Sequence, residues 1–133
     1  KTGDKAGDAL LRIGTIYISY LKDPAKGIKA YQELLASYGA TPEAVEALYE
    51  VGAYYLKEEN YDEAVKAYRQ FIYNYPKEAR VEDAMLAVAR CHLEKKAWDR
   101  ALHAYESYLA KFPKGKHAEF AKAQIAWIRM YHF

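Results

Sequence analysis

Apolar residues recur along this chain in steps of three and four, the spacing that stacks side chains on one face of a helix. Leu48, Val51, Gly52 and Tyr55 begin one such stripe, and Ala64 and Tyr68 continue it to Pro76. Measured from Leu48, these seven residues stand at offsets 0, 3, 4, 7, 16, 20 and 28. Met85, Val88, Ala89, His92, Ala101, Tyr105 and Pro113 repeat the same offsets, 37 residues later. Ile72 and Leu109 keep that period too. Self-similarity at a fixed period signals helix pairs that cannot bury their apolar faces alone and stack on their neighbours to do so.

Capping signals divide the chain into seven helices. The first runs from about Asp8 to Leu21, behind a frayed lead-in at residues 1–7, and its Leu10, Ile13, Gly14 and Tyr17 open another copy of the stripe. Asp23-Pro24 caps and starts the second, which Gly39 closes near Tyr38. Thr41-Pro42-Glu43 starts the third, which ends near Glu58. Asn60 and Glu63 form a near capping box for the fourth, ending near Tyr75. The fifth and sixth lie near 80–95 and 98–112, Lys114-Gly115 breaks the chain, and a seventh fills the remainder. Small residues mark where paired helices cross: Gly14 with Gly27, Gly52 with Ala64, and Ala89 with Ala101. Gly14 to Gly27 is one residue longer than Gly52 to Ala64, which places an extra residue in the first inner turn.

The series resembles the tetratricopeptide repeat, whose signature sets a large residue, Leu, Gly and Tyr before Ala, an aromatic and Pro. Gly52, Tyr55, Ala64 and Pro76 match it outright, while Leu48, Val51 and Tyr68 replace the usual Trp, Leu and Phe. The resemblance implies one domain over 1–133, an all-α right-handed α-solenoid of three helix pairs (about 8–40, 41–77 and 78–114) and a C-terminal capping helix (about 115–133). The 37-residue period exceeds the family's usual 34. With the aromatic-Pro-Lys closures at Tyr75-Pro76-Lys77 and Phe112-Pro113-Lys114, it looks like the bacterial cell-envelope branch. That branch includes the outer-membrane assembly lipoproteins and the Tol-Pal-associated periplasmic coordinator, which points to a periplasmic or envelope location and leaves the cytoplasm open.

In the seventh helix, Lys122 and Arg129 stand where earlier repeats carry apolar or ring side chains, while Ala118, Ala121, Ile125 and Ile128 keep an apolar stripe. Lys122 and Arg129 are expected in solvent and Ile125 against the third repeat. A terminal cap explains the pattern, and so does a polar partner helix in a longer parent chain. The chain begins Lys1-Thr2-Gly3-Asp4 without an initiator Met, so it reads as a processed or excised piece whose targeting signal would lie upstream.

With 133 residues, about half apolar and 29% charged, the chain suits one globular domain. Net charge is +2, which does not favour nucleic acid. Charge is uneven: residues 41–63 hold seven acids and one Lys, and 111–133 hold five Lys or Arg and one acid. The basic end lacks interleaved aromatic residues on one face. No apolar run reaches the ~18 residues of a membrane span. The single cysteine, Cys91, forms no internal disulfide and reads as a small buried hydrophobe. Glycine-rich phosphate loops, zinc spacings and catalytic pairs are missing, and Asp99 with His103 is too small a set for a structural metal. No cofactor, metal or catalytic chemistry is expected.

Function then falls to the face that, by the resemblance, the first helices turn toward a concave groove. By offset it takes Asp8, Leu11, Thr15 and Ile18 from repeat one, and Glu46, Tyr49, Ala53, Leu56 and Lys57 from repeat two. Repeat three gives Asp83, Leu86, Arg90 and Leu93, and the cap gives Phe120, Ala123, Trp127, Met130 and Tyr131. Tyr49, Arg90 and Trp127 are the residue types that anchor interfaces. The expected role is a protein-interaction scaffold that binds a peptide or a partner helix. Other uses stay open: the aromatic residues close the groove on themselves, the cap stripe buries against further parent sequence, or copies join into a homo-oligomer through the Phe120, Trp127 and Met130 stripe or through acidic repeat two meeting the basic end.

Overall fold

The computed structural model describes residues 2–133, with side chains from Lys5 onward. It contains seven α-helices and, among the described residues, no strand: α1 (Thr2–Ser19), α2 (Pro24–Tyr38), α3 (Pro42–Lys57), α4 (Tyr61–Asn74), α5 (Val81–Glu94), α6 (Trp98–Lys111) and α7 (Ala118–His132). Six of the seven begin and end within a few residues of the expected bounds. The exception is α1, which already includes Thr2 where a frayed lead-in was expected, and stops at Ser19 rather than Leu21. Tertiary packing extends it: a Cβ on Gly7 would lie 3.6 Å from Leu34 and 3.8 Å from the Glu43 carboxylate. Lys1, the first residue of the expected lead-in, lies outside the described residues.

Side-chain chemistry accounts for the starts of α2 and α3, whereas α4, α5, α6 and α7 begin without a side-chain cap. The Asp23 carboxylate accepts the Lys26 amide, and Pro24 takes the first helical position, where no amide is needed. Thr41 serves two helices: its hydroxyl donates to the Tyr38 carbonyl at 2.6 Å and accepts the Ala44 amide at 3.3 Å. Gly39 holds a right-handed φ of −60°, so its left-handed freedom is not what closes α2. The expected capping box at Asn60 does not form. Its side chain makes no capping bond, and the amide that Glu63 would reach is already held by the Tyr55 carbonyl at 2.9 Å.

The three inner turns share one conformation. Lys22, Glu59 and Lys96 have φ of 53°, 60° and 59°, the only left-handed non-glycine residues described, and each stands just before the N-cap of a second helix. The next amide in each turn then bonds back to the carbonyl of Tyr17, Tyr55 or His92, at 2.8, 2.9 and 2.9 Å. The extra residue foreseen in the first turn is taken up by a wider loop of backbone, in which Leu21 bonds to the Ile16 carbonyl.

The chain divides into two compact units, residues 1–54 and 55–133. In the first, α1 packs on α2. Their crossing leaves no room for a side chain: a Cβ on Gly14 would stand 2.3 Å from the Tyr31 ring, and one on Gly27 would stand 2.8 Å from the Gly14 carbonyl. Tyr31, Leu34, Ala44, Ala47 and Leu48 are buried. Ile13 shares the pattern position of Val51 but is 43% exposed, whereas Val51 is buried.

In the second unit α4 packs on α5, α5 on α6 and α6 on α7. Ala89 and Ala101 are fully buried at the α5–α6 crossing, beneath Tyr105 and Tyr108. Ala121, Ile125 and Ile128 carry the same core into α7. Lys122 and Arg129 remain exposed, Lys122 beside Glu119 on its own helix and Arg129 reaching Glu106 on α6. Tyr75 and Phe112 end α4 and α6 identically, each amide returning to an aromatic residue four back, and the prolines that follow stop the helices.

Candidate functional site

On α3, Glu46 and Tyr49 alternate with the buried Ala47, Leu48 and Val51, so both are half-buried at the edge of the first unit's core. Thr15, another expected groove residue, is committed to packing: its hydroxyl bonds the Leu11 carbonyl and the Tyr31 phenol, each at 2.9 Å.

The other candidates belong to the second unit. Leu56 is half-buried and Lys57 exposed at the end of α3. Asp83 is engaged by the α6–α7 connector, with Lys116 Nζ at 3.4 Å and His117 Nε2 at 3.5 Å. Lys116 therefore answers part of its charge within the chain. Leu86 packs on the buried core of α5, α6 and α7, while Arg90 is exposed. On α7, Phe120 is 52% exposed and meets Tyr105 edge-on, while Trp127 and Met130 are 44% and 72% exposed.

Three expected residues converge. Leu93, Ala123 and Trp127 line a recess of about 610 Å³ between α5 and α7, completed by Glu94, Lys96, Trp98 and Gln124. The offsets do not point to Trp98, because it opens a second helix and not a first. It meets Trp127 edge to face at 5.9 Å and stacks on His132 at 3.6 Å. Trp127 also contacts Tyr131, with ring centres 5.7 Å apart. The wall of the recess is thus a braced aromatic cluster, with Glu94 and Lys96 supplying one charge of each sign at its edge. Such a surface offers large rigid contact area and polar points that fix orientation.

The Cys91 thiol is fully buried, and burial pushes it up to about 11, far from the thiolate a nucleophile needs. No group of three or more His, Cys, Asp and Glu side chains converges for a metal among the described residues. Among those residues, no helix is long and apolar enough to cross a membrane.

His92 takes the pattern place of Tyr55 and Tyr17. It is the buried polar residue of the core, 6% exposed, and its Nε2 lies 3.4 Å from the Arg69 guanidinium. Burial first, then Arg69, Arg100 and Lys95, hold it below the ordinary histidine range, against the opposing pull of Asp62.

A comparison with curated proteins returns no match. Two family models, both described as tetratricopeptide repeat, match residues 19–79 and 83–115 and between them cover most of the chain. Repeats of this family generally mediate protein–protein interaction and typically serve as non-catalytic scaffolds. The helix pairs, their small-residue crossings and both matches lead to one conclusion: the chain belongs to the tetratricopeptide repeat family.

Proposed function

We propose that the chain is a non-catalytic scaffold that holds an extended peptide or a partner helix by equilibrium binding on its first-helix surfaces. The recess at Trp127 supports this reading most directly. It has the size of a binding pocket, an aromatic wall and a mixed polar edge. Leu86, Arg90, Phe120 and Met130 extend the proposed surface on the second unit, with Leu56, Lys57 and Asp83. Glu46 and Tyr49 form a proposed surface of their own on the first unit. The test is affinity capture from the source cell with wild type and a Tyr49→Ala/Trp127→Ala double variant, with circular dichroism confirming that both are folded. Loss of specific partners from the variant supports the surface, and an unchanged set of partners removes it.

A second reading is favoured by the exposure of α7. Phe120, Trp127, Met130, Tyr131 and Phe133 together place large apolar area in solvent. The same stripe then joins two copies of the chain. Sedimentation mass that rises with concentration, and returns to the monomer value in Met130→Glu, identifies this use. The 37-residue period and aromatic-Pro-Lys closures support an envelope setting, which fractionation of the source cell tests directly.

A further inference from the structure

A second recess, of about 380 Å³, lies against α4, α5 and α6 and shares no lining residue with the one at Trp127. Its inner surface is apolar: Ile72 from α4, Met85 and Val88 from α5, and Ala104 from α6. Two guanidinium groups border it. Arg69 comes from α4 and Arg100 from the first turn of α6, and both are exposed. Arg69 is tethered from below, since its Nη2 lies 3.4 Å from Nε2 of the buried His92. Arg100 makes no ion pair among the described residues. Asp99 is the single acid of the lining, and it sits at the positive end of α6.

The charge balance of this border is therefore positive, over a floor that rewards an aliphatic side chain. A guanidinium pairs with a carboxylate in a planar two-point contact that an ammonium cannot reproduce. The exposed border leaves the ligand's chain free to continue outward on both sides, as a peptide requires. We propose that this recess is a second protein-binding site, which takes a peptide segment with a large aliphatic residue beside an acidic one. The aliphatic side chain fills the space over Val88 and Ala104, and the carboxylate meets Arg69 and Arg100. The site stands apart from the first-helix surface proposed above, and neither depends on the other.

The experiment is a methyl-detected NMR titration of the whole chain with two peptides, acetyl-Glu-Leu-Leu-Asp-amide and acetyl-Lys-Leu-Leu-Lys-amide. The acidic peptide should shift the Ile72, Met85 and Val88 methyls and the basic one should not. Arg100→Glu, an exposed change that leaves the core intact, should weaken the acidic peptide about tenfold or more, as expected when a charge-assisted pair is reversed. Lys122→Glu makes the same charge change on α7 and should leave binding as it was. Equal binding of the basic peptide, shifts confined to other methyls, undiminished affinity in Arg100→Glu, or no shift with either peptide overturns the proposal.

Discussion

The Tyr108 hydroxyl donates to the Glu82 carboxylate at 2.5 Å, joining the end of α6 to the start of α5. The same carboxylate oxygen accepts the Lys116 amide at 3.0 Å, and the Tyr108 oxygen accepts the His117 amide at 3.1 Å. Burial, reinforced by Glu82, pushes the phenol up to about 12. The connector into α7 can lie this close only because residue 115 has no side chain. A Cβ there would stand 2.4 Å from the Glu82 oxygen and 2.5 Å from the Tyr108 oxygen. Gly115→Ala should therefore cost about 1–3 kcal/mol, read as a lower urea midpoint. Tyr108→Phe, which leaves a carboxylate and an amide each short of a partner, should cost a similar ~1–3 kcal/mol.

Two alanines, Ala101 at the crossing of α5 and α6 and Ala64 on α4, set the second expectation. Ala101 and Ala64 are both fully buried. Leucine at either position inserts three carbons into filled space, and each variant should lose about 1–3 kcal/mol. Unchanged melting of both would mean that the helices separate at no cost, contrary to the packing described.

His92 gives the fold a sensitivity to acid. Its folded pKa is depressed, so the unfolded chain binds a proton that the folded chain resists. Stability is then fully present above the unfolded value of about 6.5 and falls as pH drops below it. Urea midpoints measured on either side of that value should show the loss. His92→Gln, which cannot take up the proton, should flatten it.

Binding should respond to Trp127 more than to its neighbours. It is part of a braced aromatic wall, so truncation removes contact area without releasing the core that Ile125 and Ile128 maintain. Trp127→Ala should weaken a partner that uses the recess by about 1–4 kcal/mol while circular dichroism stays unchanged. Calorimetric titration with a captured partner checks both statements.

The pattern of small and large residues carried the helix count and the crossings, because Gly14, Gly27, Ala89 and Ala101 are fixed by how near two backbones come. It also placed Ile125 inside and Lys122 outside, since helical phase alone separates them. What it missed depends on contacts between residues distant in the chain. Asp83 reads as a free acid until Lys116 and His117 are brought to it, and Thr15 reads as a groove residue until Tyr31 claims its hydroxyl. The start of α1 was obscured because nothing local in Thr2-Gly3-Asp4 announces a helix that is stabilised by packing at Gly7. Arg69 and Arg100 share no pattern position, so only the folded helices reveal their common recess.

The left-handed residue before each second helix has a consequence for how such a chain can change. Lys22, Glu59 and Lys96, two cations and an anion, adopt one backbone shape, at a steric cost of roughly 1–2 kcal/mol each relative to glycine. The bend is thus dictated by the paired helices and not by the side chain at its apex. Positions 22, 59 and 96 stand 37 residues apart, at equivalent points of the three pairs. A join there falls inside a helix pair, so a segment exchanged between copies would carry the second helix of one pair and the first helix of the next.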